Sequence, residues 1–206
     1  MGGGFYATGS SAYFYYCWIY GNTAPMGGAY YLVNCTDFNY VYCLFFDNTA
    51  EYGGAFYFTS SVVNFINCTT GENNALVGED DGFGGAVYID TNVSIELLNS
   101  IFWGNYPQEF FCRIDGEGSR IGANWNVVAG GMIGIINRRA INADQYTVWN
   151  FEEDPLWVDS EGFDFHLTID SPCIDQGHPN SNPDPDGTRC DIGALYFVRE
   201  NIHSLY

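Results

Sequence analysis

The sequence predicts an all-β fold, a parallel β-helix or solenoid in which each repeat forms one turn of a coil. Three observations support this prediction. The motif Gly-Gly-small-apolar-Tyr begins at Gly2, Gly27, Gly53 and Gly84, and its successive intervals of 25, 26 and 31 residues are typical of solenoid repeats. Apolar and polar residues alternate after each glycine pair, which indicates β-strands. The 206 residues include 25 Gly, 16 Tyr and 16 Phe, a composition that favours strands and tight turns over helices.

Each predicted turn begins with the glycine pair, which we expect at a corner where a left-handed backbone or a close approach excludes a side chain. In the strand that follows, the apolar residue of the motif should point inward: Phe5, Tyr30, Phe56 and Val87. The next residue should point outward and form a tyrosine ladder: Tyr6, Tyr31, Tyr57 and Tyr88. Such a ladder serves either as plain stacking between neighbouring turns or as a platform for sugar rings.

The second strand leads to a column of small residues, Cys17, Cys43, Cys68 and Ser100, followed five residues later by Asn22, Asn48, Asn73 and Asn105. Alternation in the first two turns places these residues inward: Ala12, Phe14, Tyr16, Phe38, Tyr40 and Tyr42. Asn67 and Asn99 stand where Tyr42 stands in the second turn, and they fit a bend because asparagine tolerates left-handed angles. The three cysteines are then predicted to be buried thiols rather than catalytic ones.

The third strand breaks the expected polarity of the outer surface. Its outward positions form an apolar stripe: Trp18, Tyr20, Leu44, Phe46, Ile101 and Trp103. Apolar stripes of this size are rarely left in contact with water. Either the rest of the chain or another molecule should cover the stripe, and cover from within the chain is slightly favoured.

We assign residues 1–130 to coil turns, 131–153 to an insertion or irregular turn, and 154–206 to an irregular C-terminal cap of the same domain. Prolines in this last segment cannot continue a strand ladder. The stretches DPLWVDSEGFDFHLTIDSPCIDQG and DPDGTRCDIGALYF, from Asp154 and Asp184, resemble the C-terminal end of right-handed parallel β-helix repeat proteins of bacterial and archaeal cell surfaces. SIFWGN from Ser100 and NWNVVAGG from Asn124 resemble their last turns. The GGA repeats are similar to those of polymorphic outer-membrane proteins.

The resemblance implies a right-handed coil with an extracellular or cell-surface location. A disulfide between Cys173 and Cys190, 17 residues apart, is then plausible in an oxidising compartment. The chain opens with MGGGFY rather than with a basic and then apolar leader. We therefore expect this end to belong to a longer chain or to be a surface that becomes covered.

The charge of the chain is one-sided, with 25 acidic residues, six arginines and no lysine, giving a net charge of −19. This charge disfavours nucleic acid and anionic membranes as partners, because it repels polyanions. It favours cations, although it can equally serve solubility alone. No apolar run approaches the ~18 residues that a membrane span needs.

Two acidic segments are candidate calcium sites. The first places oxygen ligands at alternate positions before a glycine, like the first half of a calcium loop: Asn182, Asp184 and Asp186, with Asp191 nearby. The alternative is a turn in which Asp186 and Asp191 cap backbone amides and pair with Arg189. The second is the cluster Glu79, Asp80 and Asp81 in the longer third turn, which can equally be a solvated bulge.

The leading interpretation is a non-catalytic extracellular module for adhesion or self-assembly, in which head-to-tail stacking would form filaments. Its partner would be a second copy of the chain or a surface glycan. The alternative is a carbohydrate-binding or polysaccharide-degrading, lyase-like β-helix. A lyase needs a base and a cation near the sugar, but the chain lacks lysine, and Arg138 and Arg139 lie in the irregular insertion. The sequence therefore leans against an enzyme without deciding the question.

Overall fold

The computed structural model describes residues 2–76, 83–113, 118–131, 141–142 and 146–199, and the side chains of 141–148 are not included. The regular secondary structure of the described part consists of short strands, four in each of the first three turns. The first turn contains β1 (Phe5–Thr8), β2 (Ala12–Tyr15), β3 (Trp18–Tyr20) and β4 (Thr23–Met26). The second contains β5 (Tyr30–Val33), β6 (Phe38–Val41), β7 (Leu44–Phe46) and β8 (Thr49–Tyr52). The third contains β9 (Phe56–Thr59), β10 (Val62–Ile66), β11 (Thr69–Gly71) and β12 (Asn74–Ala75).

Later turns lose the fourth strand. The fourth turn contains β13 (Val87–Ile89), β14 (Ser94–Leu98) and β15 (Ile101–Trp103), and the fifth contains β16 (Phe110–Cys112), β17 (Ser119–Asn124) and β18 (Val127–Val128). The short strands β19 (Ile141–Asn142) and β20 (Tyr146–Val148) pair with β17. An antiparallel pair, β21 (Trp157–Asp159) and β22 (Asp164–Leu167), follows near the C-terminus.

Equivalent strands of successive turns pair in parallel and form four sheets, ordered β1-β5-β9-β13-β16, β2-β6-β10-β14-β17-β19, β3-β7-β11-β15-β18 and β4-β8-β12. The register is the one that the repeat predicts, since Phe5 faces Tyr30, Tyr30 faces Phe56, and Phe56 faces Val87. The prediction of an all-β parallel solenoid is confirmed. No helix in the described part of the chain is long and apolar enough to cross a membrane.

Stacked aromatic rings fill the inside of the coil. Tyr40, for example, is fully buried and lies between Phe14 and Phe65, with ring centroids 5.5 and 5.1 Å away. Because each interior residue rests on its counterpart in the next turn, ladders of equivalent residues build one continuous core along the coil. Cys43 and Cys68 belong to this core, as predicted, whereas Cys17 in the first turn is only partly buried.

The corners of the coil depend on left-handed residues. Gly53 has a φ of 67°, and a Cβ there would overlap the carbonyl oxygen of Phe56, so the glycine corner is confirmed. A second corner runs through residues with φ between 48° and 62°: Tyr16, Tyr42, Asn67, Asn99, Trp125 and Trp149. The inward placement predicted for Tyr16 and Tyr42 is wrong, because the left-handed residue resets the alternation and turns its side chain outward. Tyr16 is 73% exposed, and its ring stacks on that of Tyr42 at 5.1 Å.

The segment 155–197, called here the C-terminal strap, crosses the outside of the third sheet. Its contacts form two apolar clusters. The first contains Leu44, Phe46, Phe165 and Ala194, with Trp157 and Leu195 packed against it. The second contains Ile101, Val127, Leu167, Cys173 and Ile192. The strap therefore supplies the cover that an apolar stripe requires.

Candidate binding surface

The strap covers most of the apolar stripe of the third strand, but it leaves the residues of the first turn exposed. Leu44 and Ile101 are each 1% exposed and Phe46 is 5% exposed, while Trp103 is half-buried against the strap. The chain itself therefore covers these four residues, which is the cover from within the chain that the sequence slightly favours. Trp18 and Tyr20 remain 55% and 57% exposed.

Specific contacts fix the strap in this position. The backbone N–H of Ala194 donates to Thr69 Oγ1 at 2.9 Å, and Asn99 Oδ1 accepts from the N–H of His178 at 2.6 Å. The missing side chain of Gly71 makes room for two strap residues, since a Cβ there would lie 2.9 Å from both Phe165 Cε1 and Trp157 Cη2. These strap contacts join residues more than 75 positions apart, and no local pattern in the sequence predicts them.

The first turn carries a concentration of exposed aromatic residues. Besides Trp18 and Tyr20, the exposed set contains Phe5, Tyr6, Tyr13, Tyr15 and Tyr16. Phe5 is the inward member of this set, and it is 38% exposed, whereas its ladder neighbours Tyr30 and Phe56 are 4% and 0% exposed. The inward face of the first turn thus has the composition of a core without a covering turn.

A shallow open cavity lies at this end of the coil, which we call the open end. Its volume is about 290 Å³, and it is lined by Gly4, Phe5, Trp18, Ile19, Tyr20, Asn22 and Tyr30. In the described part of the chain, the four strands β1, β2, β3 and β4 each have a strand partner on one side only. Unpaired strand edges offer backbone N–H and C=O groups to another chain. Apolar side chains and free strand edges therefore coincide at one place.

The rings of the outer tyrosine ladder stack on one another, but burial makes most of the ladder inaccessible to a ligand. Tyr6 and Tyr31 have ring centroids 5.4 Å apart, Tyr31 and Tyr57 4.9 Å, and Tyr57 and Tyr88 4.8 Å with nearly parallel planes. Tyr57 and Tyr88 are 8% and 7% exposed, and burial raises the pKa of Tyr88 to about 12. Only the first-turn end of the ladder is open to a ligand.

The carboxylates of the predicted calcium turn are engaged by backbone amides. Asp184 Oδ2 accepts from the N–H of Asp191 at 2.8 Å, and burial raises the pKa of Asp184 to about 6. Asp191 accepts two further amides, those of Asp175 and Phe197, and Asp186 accepts from Thr188 N at 3.0 Å. Asn182 is exposed nearby. Among the described residues no group of three or more His, Cys, Asp or Glu is arranged to hold a metal.

Arginines complete this turn differently from the alternative prediction. Arg199 pairs with Asp186 at 3.7 Å and with Asp175. Arg189 instead donates to the carbonyl oxygens of Gly177 and Gln176. The second calcium candidate, Glu79, Asp80 and Asp81, lies outside the described residues, as do Arg138 and Arg139.

Cys173 and Cys190 are both free thiols in the structure. Cys173 lies in the apolar cluster with Ile101, and burial raises the pKa of its thiol to about 12. Cys190 Sγ lies 3.5 Å from Asn99 Nδ2, and burial also raises its pKa. Both thiols lie in the strap where it contacts the coil.

No protein-family model, curated protein or solved structure matches this chain. The parallel β-solenoid fold therefore rests on the strand register itself. The resemblance to cell-surface β-helix proteins stays a prediction.

Proposed function

We propose that the chain is a non-catalytic, extracellular β-solenoid module that mediates adhesion or assembly by binding another polypeptide at the open end. The observation that carries this proposal is the coincidence of unpaired edges on β1 to β4 with exposed aromatic residues in the same turn. Strand addition uses both features, since main-chain hydrogen bonds give affinity and side-chain packing gives specificity.

The contact between turns within the coil supports this mode of binding. Each turn already buries its neighbour through parallel strand pairing and ladder stacking, as between Tyr30 and Phe56, whose rings lie 5.9 Å apart. A partner turn placed over Phe5 would extend the same arrangement by one step. In self-assembly the added turn comes from a second copy, and head-to-tail stacking would propagate into a filament. In adhesion it comes from a different protein.

The extracellular location rests on the resemblance of the tail and of the GGA repeats to cell-surface right-handed β-helix proteins. The net charge of −19 supports a partner that is neither nucleic acid nor an anionic membrane, because like charges repel at long range.

Isothermal titration with a synthetic peptide of residues 27–52, kept reduced, tests the proposal. This peptide contains one complete turn, β5 to β8. It should bind the chain, and the double variant Trp18→Ser/Tyr20→Ser should bind it at least about tenfold more weakly, since both exposed rings at the open end are lost. The matched control is Ile169→Ser/Val198→Ser, which changes two exposed apolar residues of the strap region and should bind like the wild type. No binding, or equal binding by all three proteins, contradicts the proposal.

A second candidate function, carbohydrate binding, is favoured by one specific observation. Tyr13 and Tyr15 are both exposed, and their ring planes are within 12° of parallel with centroids 6.4 Å apart. The Tyr13 hydroxyl donates to Asp37 Oδ2 at 2.6 Å, which places a polar group beside the rings, as sugar recognition requires. Saturable quenching of tyrosine fluorescence by an oligosaccharide, lost in Tyr13→Ala/Tyr15→Ala, would establish this function instead.

A further inference from the structure

A ladder of asparagines runs through the corner after the third strand of each turn, where Asn48, Asn73 and Asn105 are buried and Asn22 is partly buried. Its members are Asn22, Asn48, Asn73 and Asn105, each one turn from the next. Side-chain amides link them, with Nδ2 to Oδ1 distances of 2.9 Å from Asn22 to Asn48, 2.9 Å from Asn48 to Asn73 and 2.7 Å from Asn73 to Asn105. Backbone amides reinforce the links, since the N–H of Asn48 also donates to Asn73 Oδ1 at 3.0 Å.

This ladder has a direction. Asn22, Asn48 and Asn73 each donate Nδ2 to the asparagine of the following turn, and Asn48, Asn73 and Asn105 each accept at Oδ1 from the backbone and side chain of the preceding one. Asn73, for instance, accepts two hydrogen bonds from Asn48 and donates two to Asn105, through its backbone N–H and its Nδ2 group. A side-chain amide has a distinct donor end and acceptor end, so each end of the ladder requires a different partner.

The chain provides a partner at one end of the ladder. Beyond Asn105, Glu109 Oε1 accepts from the backbone N–H of Asn105 at 3.2 Å, and its Oε2 accepts from Nδ2 at 2.5 Å. Glu109 is buried and takes the role that the next asparagine would have. At the other end, no described residue donates a hydrogen bond to Asn22 Oδ1, which lines the cavity of the open end.

We infer that the partner of the open end is a further turn of the same repeat that carries an asparagine in register with Asn22. The backbone N–H and the Nδ2 group of that asparagine donate to Asn22 Oδ1, as Asn22 itself donates to Asn48 at 3.2 and 2.9 Å. This inference rests on the proposed function and specifies its partner. It continues an interface that the coil already repeats between its own turns.

Donor and acceptor placement argues against a second copy of this chain as that partner. Two copies meeting at their open ends would place one Asn22 Oδ1 against the other, and two acceptors cannot form a hydrogen bond. In a head-to-tail arrangement, the Nδ2 group of Asn105 is already used, since it donates to Glu109 inside its own chain. The ladder therefore continues only into a chain that presents a free asparagine donor.

The test compares versions of the turn peptide of residues 27–52 that differ only at position 48. The wild-type peptide should bind at least about tenfold more tightly than Asn48→Leu or Asn48→Asp, because each variant leaves Asn22 Oδ1 without its side-chain donor. With an Asn22→Leu protein, the three peptides should bind with equal affinity. Equal affinity of all peptides for the wild-type protein would overturn the inference while leaving strand addition intact. Absence of binding by every peptide would instead refute the proposed function.

A second measurement avoids the separate peptide, which folds only on binding. A copy of residues 27–52 is fused directly before Gly2, in the spacing that the native turns use, and thermal unfolding is recorded. The extended chain with asparagine at the copied position 48 should melt higher than its leucine version. Equal melting temperatures would contradict the inference. Sedimentation velocity of the unmodified chain tests whether a second copy occupies the open end. A stable dimer or filament formed by the chain alone would also overturn the inference.

Discussion

Replacing Asn73 by leucine should destabilise the coil by about 3 kcal/mol, through the hydrogen bonds of one buried amide. The Asn73 side chain is 1% exposed and donates to Asn105 Oδ1, Phe45 O and Gly71 O at 2.7, 2.9 and 3.0 Å. It also accepts from the backbone N–H and the Nδ2 group of Asn48. Leucine has a similar volume, so the change removes hydrogen bonds without opening a large cavity.

The magnitude follows from the buried donors and acceptors that lose Asn73 as their hydrogen-bond partner. The backbone N–H of Asn48 loses its acceptor, and a buried unpaired donor costs about 1–3 kcal/mol. Asn48 Nδ2 keeps Phe46 O and Ile19 O as acceptors, so its loss is smaller. The carbonyls of Phe45 and Gly71 lose one donor each and add about 1 kcal/mol in total. For a chain of this size a loss of about 3 kcal/mol lowers the melting temperature by about 6–12 °C.

Urea unfolding followed by circular dichroism measures this loss. The matched control is Asn74→Leu, which changes the adjacent, exposed asparagine at the start of strand β12 and should shift stability by less than about 0.5 kcal/mol. Equal shifts for Asn73→Leu and Asn74→Leu would show that the ladder hydrogen bonds do not stabilise the coil, and the reasoning above would fail.

Three further predictions concern the strap, the ladder end and calcium. Gly71→Ala should lower stability by about 1–3 kcal/mol and shift tryptophan emission to longer wavelength, because a Cβ there would crowd Trp157 and Phe165. Unchanged emission would show that the strap does not need a glycine at this position in order to pack. Burial raises the pKa of Glu109 from 4.5 to about 8, so the folded chain holds a proton that the unfolded chain releases. Stability should fall as pH rises from about 4.5 to about 8, and Glu109→Gln should flatten this dependence. Calcium, but not magnesium, should raise the melting temperature if the turn of Asp184 and Asp186 binds it; no shift, or equal shifts with both ions, would reject that site.

The register of the coil was predictable because its signal is repeated. Phe5, Tyr30 and Phe56 follow glycine pairs at nearly constant intervals, so each copy supports the alignment of the others. The outward direction of Tyr16 could not be predicted in the same way, because a single residue with left-handed backbone angles reverses the alternation of inward and outward side chains. Such a residue is recognisable when it is asparagine or glycine, but tyrosine gives no sign of it.

The two ends of the asparagine ladder show a different limit of prediction. The column of Asn22 and Asn48 is visible in the sequence, but its direction depends on which side-chain atom faces which neighbour. Glu109 is invisible as a ladder member, because the strand register aligns it with Ala86 of the glycine corner and not with the asparagine column. Cover by the strap depends likewise on pairs such as Thr69 and Ala194, which are distant in sequence.

Phe46 joins the covered and open parts of the surface. On one side, the strap residues Phe163 and Phe165 pack against its ring at 5.1 and 5.3 Å. On the other side, Tyr20 stacks on it at 4.8 Å with planes 6° apart, and Trp18 meets it edge-on at 6.4 Å. Since rings in contact couple energetically, a partner that orders Tyr20 at the open end should also tighten the strap through Phe46. In the proposed binding mode, the strap therefore takes part in binding at the open end as well as covering the coil.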